Sequence, residues 1–209
     1  MNYYQTSENA FSLDYLSQLQ GQILNCPYFA VNNLNRDFIG TKGFSLVFQR
    51  SGLNKIEQQF PFLKTYLSIA LESNCNAFYL NPLLLKTGSR VDPHIDRSLR
   101  SYCKTIEPPA LVSVLYIQVP TTLNGGELVL CHNKRQVGQI RPKMNTLLYF
   151  QGNLTHSVKE VTSPGTRLSL VCEQYNLSET ELLEIPEFTI ESRAIKPKVK
   201  AGRQKRNNT

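Results

Sequence analysis

The feature that most limits how this chain can fold is a run of seven short β-type segments between Ala77 and Gln174, with no helical pattern between them. They read as strands at 77–86, 111–119, 126–130, 136–140, 145–150, 157–161 and 166–174. Turn signals separate them: Thr87-Gly88, Asn124-Gly125-Gly126, His132-Asn133, Pro142, Gly152-Asn153 and Ser163-Pro164-Gly165. Strands so closely spaced leave no room for helical crossovers. They predict antiparallel pairing in a sandwich or barrel of jelly-roll type. The fold class expected is therefore mainly β with flanking helices, a double-stranded β-helix (jelly roll) core packed against N-terminal helices.

The flanking helices are legible before residue 77. Ser12 stands where an N-cap belongs, ahead of Leu13, Leu16, Leu19 and Ile23 on one helical face and Pro27 beyond its end. A second pattern, Ile56, Phe60, Leu63, Leu67 and Leu71, is broken at Pro61, which suits the first turn of a helix. Between them 43–50 alternates, with Phe44, Leu46 and Phe48 on one side and Ser45, Val47 and Gln49 on the other, as a half-buried strand does. Residues 1–11 carry no such pattern and are expected to be loose. After the core, Ser178-Glu179-Thr180-Glu181 resembles a capping box, and 187–192 suits an edge strand.

At 209 residues the chain suits one domain. The expected organisation is a single domain over 1–192, divided into a helical and β part at 1–75, a core at 76–176 and a closing segment at 177–192. A basic tail follows at 193–209. Net charge is +7, but seven of the 23 basic residues lie from Arg193 onward and leave the body balanced at 16 of each sign. A tail of this kind reads as a solvated terminus, and the body has no surface that would track phosphates. Five scattered cysteines without a C-x-x-C suit reduced thiols, no apolar run approaches a membrane span, and no charged leader with an apolar stretch opens the chain. The expectation is a cytoplasmic protein with no membrane partner.

Chemistry concentrates at His94-Ile95-Asp96. Residues two apart on an extended chain share a side, so one imidazole and one carboxylate can meet a single ion. His156 is a candidate third ligand, completing two imidazoles and a carboxylate on one face of an octahedron. That set suits iron(II) with open positions. Eleven residues on, Arg167 shares a strand face with Ser169 and Val171. A guanidinium aimed into a barrel needs an anion, and a dicarboxylate supplies one through a two-pronged bond. Iron(II), Asp96, 2-oxoglutarate and Arg167 together are neutral. Lys86, Arg90, Arg97 and Arg100 flank the motif, either to meet an anionic substrate or as solvated loop charges. His132 is expected to be exposed, and Tyr149 and Phe150 to be core.

In this order the pieces resemble the iron(II)/2-oxoglutarate-dependent dioxygenases, and specifically their prolyl 4-hydroxylase-like branch. The pieces are His94-Ile95-Asp96, Val112 to Ile117, Asn124-Gly125-Gly126-Glu127-Leu128, Ile140-Arg141-Pro142-Lys143, Leu147-Leu148-Tyr149-Phe150, His156-Ser157-Val158 and Thr166-Arg167. The resemblance runs from about Tyr79 to Tyr175. It implies iron held by His94, Asp96 and His156, the distal carboxylate of 2-oxoglutarate on Arg167, and contributions from Tyr116 and Ser169. A register shifted by one would put Leu115 in place of Tyr116.

The implied reaction hydroxylates an unactivated C–H bond with dioxygen while 2-oxoglutarate becomes succinate and carbon dioxide, with ascorbate as a further cofactor. The implied substrate is a prolyl or other residue of a protein or peptide, or a free amino acid. The chain departs from the branch at Asn81-Pro82-Leu83-Leu84-Leu85-Lys86, where relatives often carry tyrosines. Nucleic-acid demethylases of the wider family place a second arginine where this chain has Glu173. The alternative from another class is a non-catalytic metal-binding jelly roll whose tail docks nucleic acid or an acidic partner. Oligomeric state is not readable from the sequence.

Overall fold

The computed structural model describes residues 2–31 and 36–194. The expected flexible tail therefore lies, apart from Arg193 and Ala194, outside the described residues.

The chain opens with a strand, β1 (Tyr4–Glu8), where a loose segment is expected. All five of its residues are exposed, so it has no apolar alternation to read. It is held instead by backbone pairing with the strand Thr146–Gln151, from Tyr4 opposite Phe150 to Glu8 opposite Thr146. The first helix, α1 (Leu13–Leu24), starts where the Ser12 hydroxyl accepts the Tyr15 N–H, satisfying one of the free donors of its first turn. Leu16, Leu19 and Ile23 are buried, whereas Leu13, expected on the same face, is 64% exposed.

Short strands β2 (Ala30–Val31), β3 (Phe38–Ile39) and β4 (Lys42–Gly43) lead into β5 (Ser45–Gln49). Here the half-buried expectation fails, since Ser45, Leu46, Val47 and Phe48 are all buried. Leu46 and Phe48 join the helical core, while Val47 is covered from the other side by the C-terminal segment around Ile185. Helices α2 (Leu53–Gln59) and α3 (Lys64–Ala70) flank a 3-10 turn at Pro61–Leu63, the break that Pro61 imposes by lacking an N–H.

The remaining strands are β6 (Ala77–Lys86), β7 (Arg90–His94), β8 (Leu111–Gln118), β9 (Leu128–His132), β10 (Arg135–Ile140), β11 (Thr146–Gln151), β12 (Thr155–Val158) and β13 (Thr166–Tyr175). A short helix, α4 (Glu179–Leu182), begins with the expected capping box, and β14 (Phe188–Glu191) pairs with β5. The two sheets are antiparallel. The larger runs β1-β11-β8-β13-β6-β4-β2, with β5 also on β6, and the smaller runs β10-β9-β12-β7-β3. This is the jelly-roll core expected from the strand spacing.

Period-two alternation divides the larger sheet's side chains cleanly. Leu80, Leu84, Leu115, Leu147, Leu168, Leu170 and Cys172 face the helices and pack with Leu19, Ile23, Leu63 and Tyr66. Leu83, Val114, Tyr116, Leu148 and Phe150 face the smaller sheet and pack with Val91, Leu128, Leu130 and Val158. The polar site sits within this second, inter-sheet layer. A bulge between Leu168 and Ser169, opposite Gln118 and Tyr116, sets the register there. Among the described residues no helix is long and apolar enough to cross a membrane.

Candidate active site

His94 is the last residue of β7, a strand outside the seven segments expected from the sequence, and His156 lies directly opposite it on β12. Facing positions on adjacent antiparallel strands bring the rings together, with centroids 4.4 Å apart. Asp96, two residues beyond His94, turns its carboxylate between them. Oδ1 is 3.2 Å from His94 Nε2, and Oδ2 is 3.4 Å from His156 Nε2. One ligand atom from each of the three lies within 4.8 Å of the others.

Two backbone carbonyls aim the imidazoles. His94 Nδ1 is 2.9 Å from the Asp92 carbonyl and His156 Nδ1 is 3.2 Å from that of Leu154. A carbonyl can only accept, so each Nδ1 carries the proton and each Nε2 offers a lone pair inward. Phe38 packs edge-on against His94 and Phe150 against His156, fixing the ring planes. Burial lowers the His156 pKa and favours the neutral ring. Burial also opposes a charge on His94, but the adjacent Asp96 carboxylate outweighs it and raises that pKa. Burial opposes ionisation of Asp96 too, yet His156 and His94 together hold its pKa low.

His94 Nε2 and Asp96 Oδ2 are buried without a hydrogen-bond partner. Leaving such atoms unpaired costs about 1–3 kcal/mol each, more when charged. A divalent cation at their convergence satisfies both. The donor set therefore fits a metal of iron(II) type.

A second group of unpaired polar atoms lies deeper in the same layer. Arg167 is 2% exposed, and its Nη1 donates to the Gly126 carbonyl at 2.5 Å while its Nε has no partner. Burial lowers its pKa. The guanidinium lies over the Tyr116 ring, 4.8 Å from the centroid. Register places Tyr116 opposite Ser169 on one side and Thr146 on the other. Tyr116 OH, Ser169 Oγ and Thr146 Oγ1 are all buried and unpartnered. The Arg167 Nε–H and three hydroxyls, all without partners, together make a socket of a chemistry that suits a carboxylate. The register question resolves to Tyr116, because Leu115 points into the helical core.

Gly125-Gly126 builds the socket's rim. Gly125 has φ +78°, and a Cβ there would sit 1.9 Å from the Glu160 carbonyl. Only glycine allows this close approach, which delivers the Gly126 carbonyl to Arg167.

The metal-type cluster, together with Arg167 and Tyr116, lines one cavity of about 40 Å3, walled by Leu83, Val114 and Phe150. A larger open groove of about 610 Å3, between 119–123 and 141–145, lies apart from this chemistry. The flanking cations stay out of the site. Lys86 is exposed, Arg90 pairs with Asp92 at 2.9 Å, and Arg100 donates to the Ile106 carbonyl at 2.6 Å. His132, expected to be exposed, is half-buried against Tyr3, with ring centroids 5.3 Å apart. Tyr149 is half-buried rather than core, its hydroxyl donating to the Ala70 carbonyl at 3.2 Å.

Thr146, Asn81 and Glu173 are the polar residues of this layer to which the sequence reading assigns no role. Strand parity reveals Glu173, since it continues the face of Arg167, Ser169 and Val171. It is 4% exposed and accepts hydrogen bonds from the Ser98 N–H, the Ser98 hydroxyl and the Tyr175 hydroxyl. Burial, with the neighbouring Asp96 charge, pushes its pKa up to about 8.

Residues 79–172 match the family model described as the 2OG-Fe(II) oxygenase superfamily. No curated protein matches the chain. Solved structures do. A Pseudomonas putida prolyl-4-hydroxylase superposes with a TM-score of 0.57 at 16% identity, covering 85% of this chain and 95% of that one. A Trichoplax adhaerens prolyl hydroxylase, solved with a hypoxia inducible factor peptide fragment, gives 0.56 at 18% identity, covering 87% and 86%. A viral collagen prolyl hydroxylase from Paramecium bursaria Chlorella virus-1, solved with 2-oxoglutarate, gives 0.50 at 16% identity, covering 81% and 94%.

Proposed function

We propose that this chain is a 2-oxoglutarate and iron(II) dependent oxygenase and that it hydroxylates a C–H bond of an amino acid, either a residue of a protein or peptide or a free one. His94, Asp96 and His156 hold the iron, and Arg167, with Tyr116, Ser169 and Thr146, holds the distal carboxylate of 2-oxoglutarate. The single observation that carries this reading is the placement of two sets of buried, unpartnered polar atoms in one inter-sheet layer, with His94, Asp96, Tyr116 and Arg167 lining one cavity within it. One set suits a divalent cation and the other an anion.

Iron held by His94, Asp96 and His156 would supply oxygen activation, one oxygen atom going to the substrate as a hydroxyl and the other to succinate as carbon dioxide leaves. The protein's part is positioning and charge balance. The Asp92 and Leu154 carbonyls fix the tautomers that face the metal. Arg167 neutralises one carboxylate charge, and its fork orients the cosubstrate along the cavity. With iron(II), Asp96, Arg167 and a doubly charged cosubstrate, the cluster is neutral and tolerates burial. Apolar walls at Leu83, Val114, Val158 and Phe150 exclude water. The similarity to prolyl hydroxylases supports a substrate of this kind, and ascorbate is the reductant expected to maintain the iron.

The test is succinate release from 2-oxoglutarate by anaerobically iron-loaded protein on admitting oxygen, for wild type, His156→Ala and Arg167→Met, with and without a panel of amino acids and peptides. Release by wild type that is lost in His156→Ala is the expected result. Equal release by wild type and His156→Ala refutes the assignment.

A further inference from the structure

Beside the metal-type cluster a second small pocket opens, bounded by Asp96 and Ser98 on one side and by Tyr79, Asn81 and Glu173 on the other, with Phe38 across it. Its polar lining is dominated by acceptors. Glu173 is buried with a carboxylate. Asn81 is 3% exposed, and its Nδ2 donates to the Phe44 carbonyl at 2.7 Å and to Ser45 Oγ at 3.2 Å, which fixes the amide. Its Oδ1 is left buried and unpartnered. Among the described residues no lysine, arginine or histidine lines this space.

Resting on the oxygenase reading, we infer that this pocket is the substrate subsite and that it takes an organic cation with several N–H donors, the alkylammonium or guanidinium of a basic amino acid. Three observations converge on that chemistry. First, the iron, Asp96, Arg167 and cosubstrate already cancel, so an ionised Glu173 leaves one negative charge, which a cationic substrate group closes. Second, Asn81 Oδ1 lacks a donor, and a substrate with several N–H groups can reach it while pairing with Glu173. Third, the rings of Phe38 and Tyr79 in the wall suit a cation, whose charge is attracted to an aromatic face.

An anchoring role alone explains Glu173 less well. It does hold the turn Ser98–Ser101 through the backbone and hydroxyl of Ser98. A neutral glutamine would keep part of this anchoring through its one carbonyl oxygen, without the cost of burying a carboxylate. The carboxylate's distinctive property is charge. A bound cation favours the ionised form that burial otherwise opposes.

The experiment is calorimetric titration, at pH 8, of the full chain loaded with Mn(II) and N-oxalylglycine, an unreactive analogue of 2-oxoglutarate. The probes are n-butylammonium, n-butylguanidinium and the neutral isostere n-butylurea. The cations are expected to bind at least tenfold more tightly than the urea, and Glu173→Gln to shrink that preference to about twofold. Equal binding of cations and urea by wild type overturns the inference and leaves Glu173 as an anchor. So does a preference that survives in a folded Glu173→Gln.

The wild-type comparison stands even where the variant does not fold. Failure of Mn(II) or N-oxalylglycine to bind refutes the oxygenase reading separately, because the same titration of metal-free protein still reads the pocket. Two further probes locate the source of the cation. Stimulated succinate release by Nα-acetyl-arginine methylamide or its lysine counterpart identifies a residue within a peptide. Stimulation by free arginine or lysine alone identifies the free amino acid.

Discussion

The burial of Glu173 has a measurable consequence for stability. Its carboxyl is 4% exposed and titrates at about 8 instead of 4.5, burial being the main cause and the Asp96 charge the second. Below about pH 4.5 the group is protonated in both the folded and unfolded chain and makes no difference. Between that value and about 8 only the unfolded chain gives up its proton. The folded state then binds more protons, and stability falls as pH rises through the window. Above about 8 the loss levels off. At about 1.4 kcal/mol for each pKa unit, the full loss is about 5 kcal/mol.

Glu173→Gln removes this dependence and gives up about 1 kcal/mol, since the amide accepts fewer of the bonds from Ser98 and Tyr175. At pH 5 the variant should therefore be about as stable as wild type. At pH 8.5 it should be more stable by about 4 kcal/mol, an upward shift of about 10 °C in melting temperature for a chain of this length. The assay is thermal melting of metal-free protein in EDTA across pH 5 to 8.5, comparing the two proteins at each pH so that histidines common to both cancel. Parallel curves over the whole range would refute the account of Glu173 as a buried carboxylate without a compensating cation.

Other consequences follow from the same geometry. Arg167→Met should weaken N-oxalylglycine binding about 100-fold, the worth of one or two charge-assisted hydrogen bonds, while leaving Mn(II) affinity within a fewfold, as calorimetry of each ligand would show. Gly125→Ala should destabilise the fold by more than about 2 kcal/mol in denaturant melts, because the new Cβ meets the Glu160 carbonyl at a backbone angle alanine resists. Ser12→Ala should cost about 1 kcal/mol by the same measure and leave metal binding unchanged, since it removes the acceptor for the Tyr15 N–H far from the site.

The jelly roll was legible because its core strands alternate or run apolar between clear turn signals, and the observed β6 matches the 77–86 reading from end to end. The site was legible for a related reason. His94, Asp96, His156 and Arg167 are residue types whose burial needs a partner, and their order resembles a family, so their convergence could be inferred without coordinates.

What escaped the sequence reading depends on pairing between distant strands. β1 is exposed along its length and exists only because β11 offers its edge. The burial of β5 on both faces depends on β14 and the segment around Ile185, more than a hundred residues later. Thr146 joins the carboxylate socket only through its register with Tyr116, and Asn81 joins the second pocket through its register with Val171. Strand parity alone could have brought Glu173 forward, two residues beyond Val171 and four beyond Ser169 on one face.

The central claim, that His94, Asp96 and His156 form one metal site, is tested most directly by Mn(II) binding to the full chain, followed by calorimetry for wild type, His156→Ala and Asp96→Ala. The geometry predicts one ion per wild-type chain and loss of that ion in both variants, with melting temperatures in EDTA confirming that they remain folded. Wild-type protein that binds no ion, or folded variants that bind it as wild type does, would contradict the account.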